Sequence, residues 1–520
     1  MISFRGTGIL SRKIFQASGK RPHCNMNDQP LSLRMQAVHG VKWTGTSALS
    51  TTALNYARLV VLIHLLSPRD FGLMGMVMVV VGLGQSFSDL GISFAIIWKQ
   101  DATSEQLSTL YWLNIMAGVA LFGIVIAISP LVSAFFHEPR LTNLMFWAAF
   151  IFPITAIGQQ FGILLQKNLR FGKLAKVEIA SALVGSAVAI IAAFLGQGVY
   201  SLIWGQLTTT ACTALLYTYM GWRKWHPRLM FKPSNLQGFI SFGLYQMGER
   251  LVNTFAFNVD YIVVGHFSGP GPLGIYMLAW QLMVAPSVKL NAVMTRVAFP
   301  VFAKKQTDDL ALQRGYVELL KMLAVLTFPV LVLVGVTAPV FVPVVFGPKW
   351  NAVIPLIQIF VLLGLFRSLS HPIGSILLAK GRADISFKLS LALATVSSVA
   401  FWFAAQHGLY VMAWTEVAVA ALFFFGIMEI LRKLIGLKHS SYLRAVAKPT
   451  LLAVAAGGAT YGCYRILRVL IDSNLWVFVG VIVFGGLCYA LLVAVFERQY
   501  FLKYFWLFLG REKKEGGSSA

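Results

Sequence analysis

The chain has 520 residues, 57% of them hydrophobic and only 12% charged, with a mean hydropathy of +0.72. Soluble domains carry about a quarter of their residues as charges, so a soluble enzyme or binding module is excluded. The formal net charge of +24 would suit nucleic acid, but its placement along the chain argues against that partner.

Residues 1–41 read as a cytoplasmic, disordered tail. They lack the apolar core of a secretory signal, and Met26 is a candidate initiator. From residue 42 on, apolar stretches recur that can each cross a hydrocarbon core of about 30 Å at roughly 1.5 Å per residue. Fourteen spans are predicted, at 43–66, 71–97, 109–135, 142–165, 177–195, 199–221, 239–265, 272–302, 317–340, 353–379, 388–405, 409–431, 449–470 and 475–496. The expected fold is an all-α polytopic membrane protein.

With the N-terminus inside, the cytoplasmic segments hold 32 Lys/Arg and the outer loops three, Arg69, Arg140 and Lys349. That split follows the positive-inside rule and puts both termini in the cytoplasm. The basic segments also attract anionic membrane lipids. The four cysteines form no CxxC or disulfide framework, and no metal cluster, ATP-binding loop or nucleophile elbow is present. No cofactor and no enzymatic activity are expected.

An internal repeat runs through the chain. "GVYSLIWGQ" (198–206) answers "GLYVMAWTE" (408–416), "LLQKNLRFGK" (164–173) answers "LLAKGRADISFK" (377–388), and "FGLMGM" (71–76) answers "LGIYML" (273–278). Spans 1–6 and 7–12 are then two copies of one unit in the same orientation, related by a pseudo-two-fold axis along the membrane normal. The expected division is a tail (1–41), an N-lobe (42–221), a cytoplasmic linker (222–238), a C-lobe (239–435), two further helices (436–496) and a C-terminal tail (497–520).

Charges inside spans are costly and mark partners or wet cavities. Lys321, Arg465 and Arg468 lie near span ends and can snorkel. Arg58 in span 1, Arg250 in span 7, Lys289 and Arg296 in span 8, and Arg367 in span 10 lie deeper, as do the acids Asp89, Glu249, Asp260 and Glu416. Gln246, Asn253 and Asp260 are seven apart and share one helical line, flanked by Glu249 and Arg250. Lys289 and Arg296 follow the kink expected at Pro286. Two readings stay open: a buried ion-pair network that fixes packing, or a central cavity of modest positive excess for an anionic substrate. In the second, Arg250, Lys289, Arg296, Arg367, Arg58, Gln246 and Asn253 bind substrate. Glu249, Asp260 and Asp89 then balance the charge or couple transport to H+ or Na+.

Several segments resemble one family: "SDLGISFAIIWKQ" (88–100), "TLYWLN" (109–114), "GQQFGILLQKNLRF" (158–171), "KLNAVMTRVAFPVFAK" (289–304), "VFGPKWN" (345–351) and "RSLSHPIGSILLAKGRADISFK" (367–388). They are similar to the polysaccharide exporters of the MOP flippase superfamily, most of all to the colanic acid exporter branch. The resemblance implies a multi-pass protein of the bacterial inner membrane that flips undecaprenyl-pyrophosphate-linked oligosaccharide repeat units for exopolysaccharide, capsule or O-antigen synthesis. A polymerase and export machinery would act downstream. It carries over no binding residues. Guanidinium groups suit a pyrophosphate, and Asn253, Gln246, Gln281, Trp280 and Tyr245 suit a glycan. The alternatives are a multidrug or metabolite antiporter of the same superfamily, and a membrane polymerase or ligase.

Overall fold

The computed structural model describes residues 33–88, 93, 96, 102–236, 240–288, 298, 302–370 and 372–496. It does not describe the side chains of residues 33–42, 234–235, 240–246, 249 and 383. The described residues are helical, without strands. In chain order the helices are α1 (Leu33–Leu65), α2 (Pro68–Ser88), α3 (Ser104–Phe135), α4 (Arg140–Ala149), α5 (Ile151–Lys167), α6 (Phe171–Phe194), α7 (Val199–Trp222), α8 (Ile240–Ser268) and α9 (Pro270–Met283). They continue as α10 (Asp309–Val345), α11 (Val353–Ser370), α12 (Ile373–Ala379), α13 (Ala383–Ala405), α14 (Leu409–Ile435), α15 (His439–Leu470) and α16 (Asn474–Phe496). Ten helical stretches among the described residues are long and apolar enough to cross a membrane.

Local chemistry sets the boundaries. Pro68 opens α2 behind a reciprocal cap, in which the Ser67 amide donates to Asp70 Oδ2 (2.9 Å) and the Asp70 amide to Ser67 Oγ (3.3 Å). Thr103 and Gln106 form the same kind of box at the start of α3. Gly198 and Gly408 precede α7 and α14 at φ of 55° and 104°, a backbone region that favours glycine.

Several boundaries differ from those expected. α1 begins at Leu33, inside the predicted tail, and α15 begins at His439 rather than 449. The fourth span is two helices, because the ring of Pro153 opposes the carbonyl four residues back, at Ala149, where α4 ends. The tenth span divides at Pro372 into α11 and α12. Within the expected linker, the 3-10 turn Pro233–Leu236 packs on α3.

The two halves pack alike. In the first, α1 pairs with α6, α6 with α7, α5 with α7, and α3 with α4 and α5. In the second, α8 pairs with α13, α13 with α14, α11 with α14, and α10 with α11. We call α1–α7 the N-lobe and α8–α14 the C-lobe; α15 and α16 pack against α10. The lobes meet along α2 of one and α8 and α9 of the other. The largest apolar core straddles that seam and contains Leu59, Ile63, Met76, Tyr276 and Trp350.

Candidate functional site

Four helices of the C-lobe bring their polar side chains to one buried cluster. Asp260 (α8), Tyr276 (α9), Arg367 (α11) and Glu416 (α14) come together among apolar neighbours, with Glu416 only 1% exposed and Asp260 4%. Arg367 Nη2 lies 3.0 Å from Glu416 Oε1. The Tyr276 hydroxyl makes a short hydrogen bond to Glu416 Oε2 and lies 3.4 Å from Asp260 Oδ2. Asp260 Oδ1 is buried and accepts no hydrogen bond among the described residues. Tyr276 has one hydroxyl proton and faces two carboxyl groups, with one guanidinium to neutralise them. Two carboxyl groups against one guanidinium leave one formal negative charge in the cluster when both acids are ionised. Among the described residues no group of three or more His, Cys, Asp or Glu could hold a metal.

The sequence singled out Arg367 and Asp260 but placed them on the cavity between lobes; both belong to this cluster inside the C-lobe. Glu416 was counted as an intramembrane acid and then left out of the charge balance. Its signal lay in the repeat, where it answers Gln206 of "GVYSLIWGQ". Tyr276 was missed, although it stands in the repeated "LGIYML".

A second set of contacts closes one end of the seam. A Cβ added to Gly72 would lie 1.7 Å from the Pro270 carbonyl oxygen, and one added to Gly274 would lie 1.9 Å from that of Pro68. These pairs exchange under the repeat offset, so the contact is two-fold. On one side of it the Lys349 ammonium donates to the carbonyls of His64 (2.9 Å) and Leu66 (2.7 Å), and Trp350 Nε1 donates to Ile63 (3.2 Å). These are carbonyls at the C-terminus of α1, where a cation is favoured. Burial holds the Lys349 ammonium below its ordinary value, with Asp70 pulling the other way. On the other side, His266 Nδ1 donates to the Phe135 carbonyl (2.6 Å), and the ring stacks on Phe135 and Trp402. His64 and His266 are themselves repeat partners.

Deeper along the seam, Ser86 and Thr254 share a hydrogen bond of 3.0 Å. Arg250 lies one turn further from the clasp and is exposed, without an ion-pair partner among the described residues. Asn253 is half-buried beside it. Arg58 lies on the clasp side of the seam, in a separate cavity. The side chains of Gln246 and Glu249, and Asp89, Lys289 and Arg296 altogether, lie outside the described residues.

A cavity of about 970 Å³ inside the N-lobe lies between α1, α5, α6 and α7, with Glu178 on its wall accepting from Ser47 Oγ at 2.5 Å.

Residues 61–355 match the profile of a family described as "Polysaccharide biosynthesis protein". The chain belongs to that family. Among its relatives, the teichuronic acid biosynthesis protein TuaB of Bacillus subtilis (strain 168) is 34% identical over 83% of this chain and 89% of that one. The lipopolysaccharide biosynthesis protein WzxC of Escherichia coli (strain K12) is also 34% identical, over 69% of this chain and 73% of its own. Among solved structures, the lipid II flippase MurJ in an inward closed conformation superposes with a TM-score of 0.69 at 14% identity, covering 87% of this chain and 99% of that chain. An inward-facing multidrug resistance MATE transporter of the MOP superfamily gives 0.57 at 15% identity, over 74% and 95%. At those identities the likeness shows the fold. This family member is thus a multi-pass membrane protein of MOP transporter fold.

Proposed function

We propose that the protein flips lipid-linked oligosaccharide repeat units across the bacterial inner membrane by alternating access between its two lobes. The observation that carries this reading is the two-fold clasp at one end of the seam, with exposed Arg250 and half-buried Asn253 toward the other. A seam sealed at one end, with the exposed guanidinium of Arg250 toward the other and no ion-pair partner for it among the described residues, suits a substrate with a negatively charged headgroup. The family and the relatives named for teichuronic acid and lipopolysaccharide biosynthesis supply the substrate class. Undecaprenyl pyrophosphate is the carrier this reading requires. Fourteen crossings and cytoplasmic termini belong to the same proposal, since only they keep the outer loops poor in Lys and Arg.

The C-lobe cluster is the proposed coupling site. One proton or Na+ bound between Asp260 and Glu416 would neutralise the second carboxylate and favour one arrangement of α8, α9, α11 and α14. Polymerase and export machinery would consume the flipped unit.

The test is a deletion strain whose lipid-linked sugars are extracted, analysed by mass spectrometry and challenged with a glycosidase added outside. Complete repeat units that accumulate protected from the glycosidase support flipping. Single units exposed outside would mean that the protein acts after flipping. For coupling, Glu416→Gln should flatten the dependence of export on the ion gradient; an unchanged dependence sinks that part.

A further inference from the structure

Behind the clasp lies a cavity of about 240 Å³ that the cluster and the proposed central pathway leave unused. Arg58, Asn55 and Tyr56 of α1 face Gln281 of α9 across it, and Phe71 of α2 closes one wall. Tyr56 donates to the Gln281 backbone carbonyl at 3.2 Å, so the cavity sits on the seam between lobes. Phe71 packs edge-on against Trp350, 5.5 Å away, whose indole holds the end of α1. Arg58 is seven residues from Leu65, about 10 Å below the outer end of α1 at roughly 1.5 Å per residue.

Arg58 has no hydrogen-bond or ion-pair partner among the described residues, and no carboxylate lines its cavity. Three other arginines in or beside the helices do have partners: Arg367 has Glu416, Arg69 has Glu138 and Arg468 has the Tyr464 hydroxyl. A half-buried guanidinium without an anion is costly and is not a packing device, because an apolar side chain of similar length would hold the helices better. Its fork of donors, with the amides of Asn55 and Gln281 beside it, matches the oxygens of a phosphate. The volume equals about eight water molecules at roughly 30 Å³ each. That is enough for a diphosphate group.

We propose that Arg58, with Asn55 and Gln281, forms an exit-side subsite for the phosphate or pyrophosphate group of the transported lipid, reached by the headgroup before the clasp releases it. The proposal rests on the flippase reading. It separates the anion's last station from the entry region near Arg250 and places it against the element that opens.

The probe is inorganic pyrophosphate, titrated calorimetrically into the full-length protein in neutral detergent at fixed ionic strength. Wild type should bind saturably, Arg58→Gln at least tenfold more weakly, and Arg468→Gln like wild type. Without anion, Arg58→Met should melt at a higher temperature than wild type, an outcome that a purely structural arginine would reverse. Equal binding by wild type and Arg58→Gln, no binding by wild type, or a lowered melting temperature in Arg58→Met overturns the proposal. A parallel arm compares nanodiscs of phosphatidylglycerol and phosphatidylcholine. An Arg58-dependent shift with phosphatidylglycerol alone would assign the cavity to a resident lipid headgroup and also overturn it. If the deletion strain accumulates protected repeat units while pyrophosphate binding ignores Arg58, only this subsite falls. If nothing accumulates, the flippase reading falls with it.

Discussion

Gly72 and Gly274 each lie against the other lobe's proline turn: the backbone of Gly72 rests on the Pro270 carbonyl and that of Gly274 on the Pro68 carbonyl. Each glycine is seated where the other lobe's helix begins. Neither position has room for even a methyl group, so the absence of a side chain sets how near the lobes come.

Gly72→Ala and Gly274→Ala should therefore act alike, holding that end of the seam apart and destabilising the closed form by about 1–3 kcal/mol. Gly271→Ala, with nothing within 4 Å of its added carbon, is the matched control. A cysteine replacing buried Met76 reports the result through its labelling rate with an impermeant maleimide. Faster labelling in both alanine variants and not in the control is the expected pattern.

The C-lobe cluster should be sensitive to single changes and tolerant of paired ones. Arg367→Met strands Glu416 beside Asp260 and should cost about 3–5 kcal/mol, whereas Arg367→Met with Glu416→Met should regain most of that loss. Thermal unfolding in detergent gives both values. Tyr276→Phe removes the one hydroxyl shared by the two acids and should cost about 1–3 kcal/mol.

Lys349 and Trp350 form the other part of the seal. Lys349→Met loses two bonds to carbonyls at the end of α1 and should cost about 1–2 kcal/mol. Trp350→Ala empties a fully buried indole site and should cost about 3–5 kcal/mol. Both should speed labelling at position 76 from outside.

By contrast, Lys232→Ala should change the melting temperature little. Its partner Glu105 is 3.2 Å away and both side chains are about half exposed, a setting in which ion pairs contribute roughly 0–1 kcal/mol.

The apolar stretches were readable because a bilayer leaves helices as the simplest way to satisfy the backbone. The repeat was readable because the duplicated turns keep their residues, and "FGLMGM" and "LGIYML" hold the two clasp glycines in register. Helical phase put Asp260 on a polar line, but phase tells which face a residue occupies and not which helix it meets. Arg367 and Glu416 are 49 positions apart, and their pairing comes from the packing of α11 on α14. The break at Ala149 went unread because apolar residues continue through it and Pro153 stands three residues beyond Phe150. Arg58 is legible from depth alone; that it has no partner among the described residues is a property of the assembled seam.

The segment after α7 is fastened to the first half by several bonds. The Trp112 indole donates to the Arg228 carbonyl at 2.8 Å, the Arg228 amide to Ser108 Oγ at 3.1 Å, and Leu236 joins Leu107 and Leu110 in an apolar cluster. The seam itself resembles the interface of a symmetric dimer that happens to be joined end to end. The covalent join is then dispensable for recognition. Two half-genes, divided after the codon for Leu236 so that the strap stays with its own half, should yield polypeptides that find each other in the membrane and restore export when expressed together.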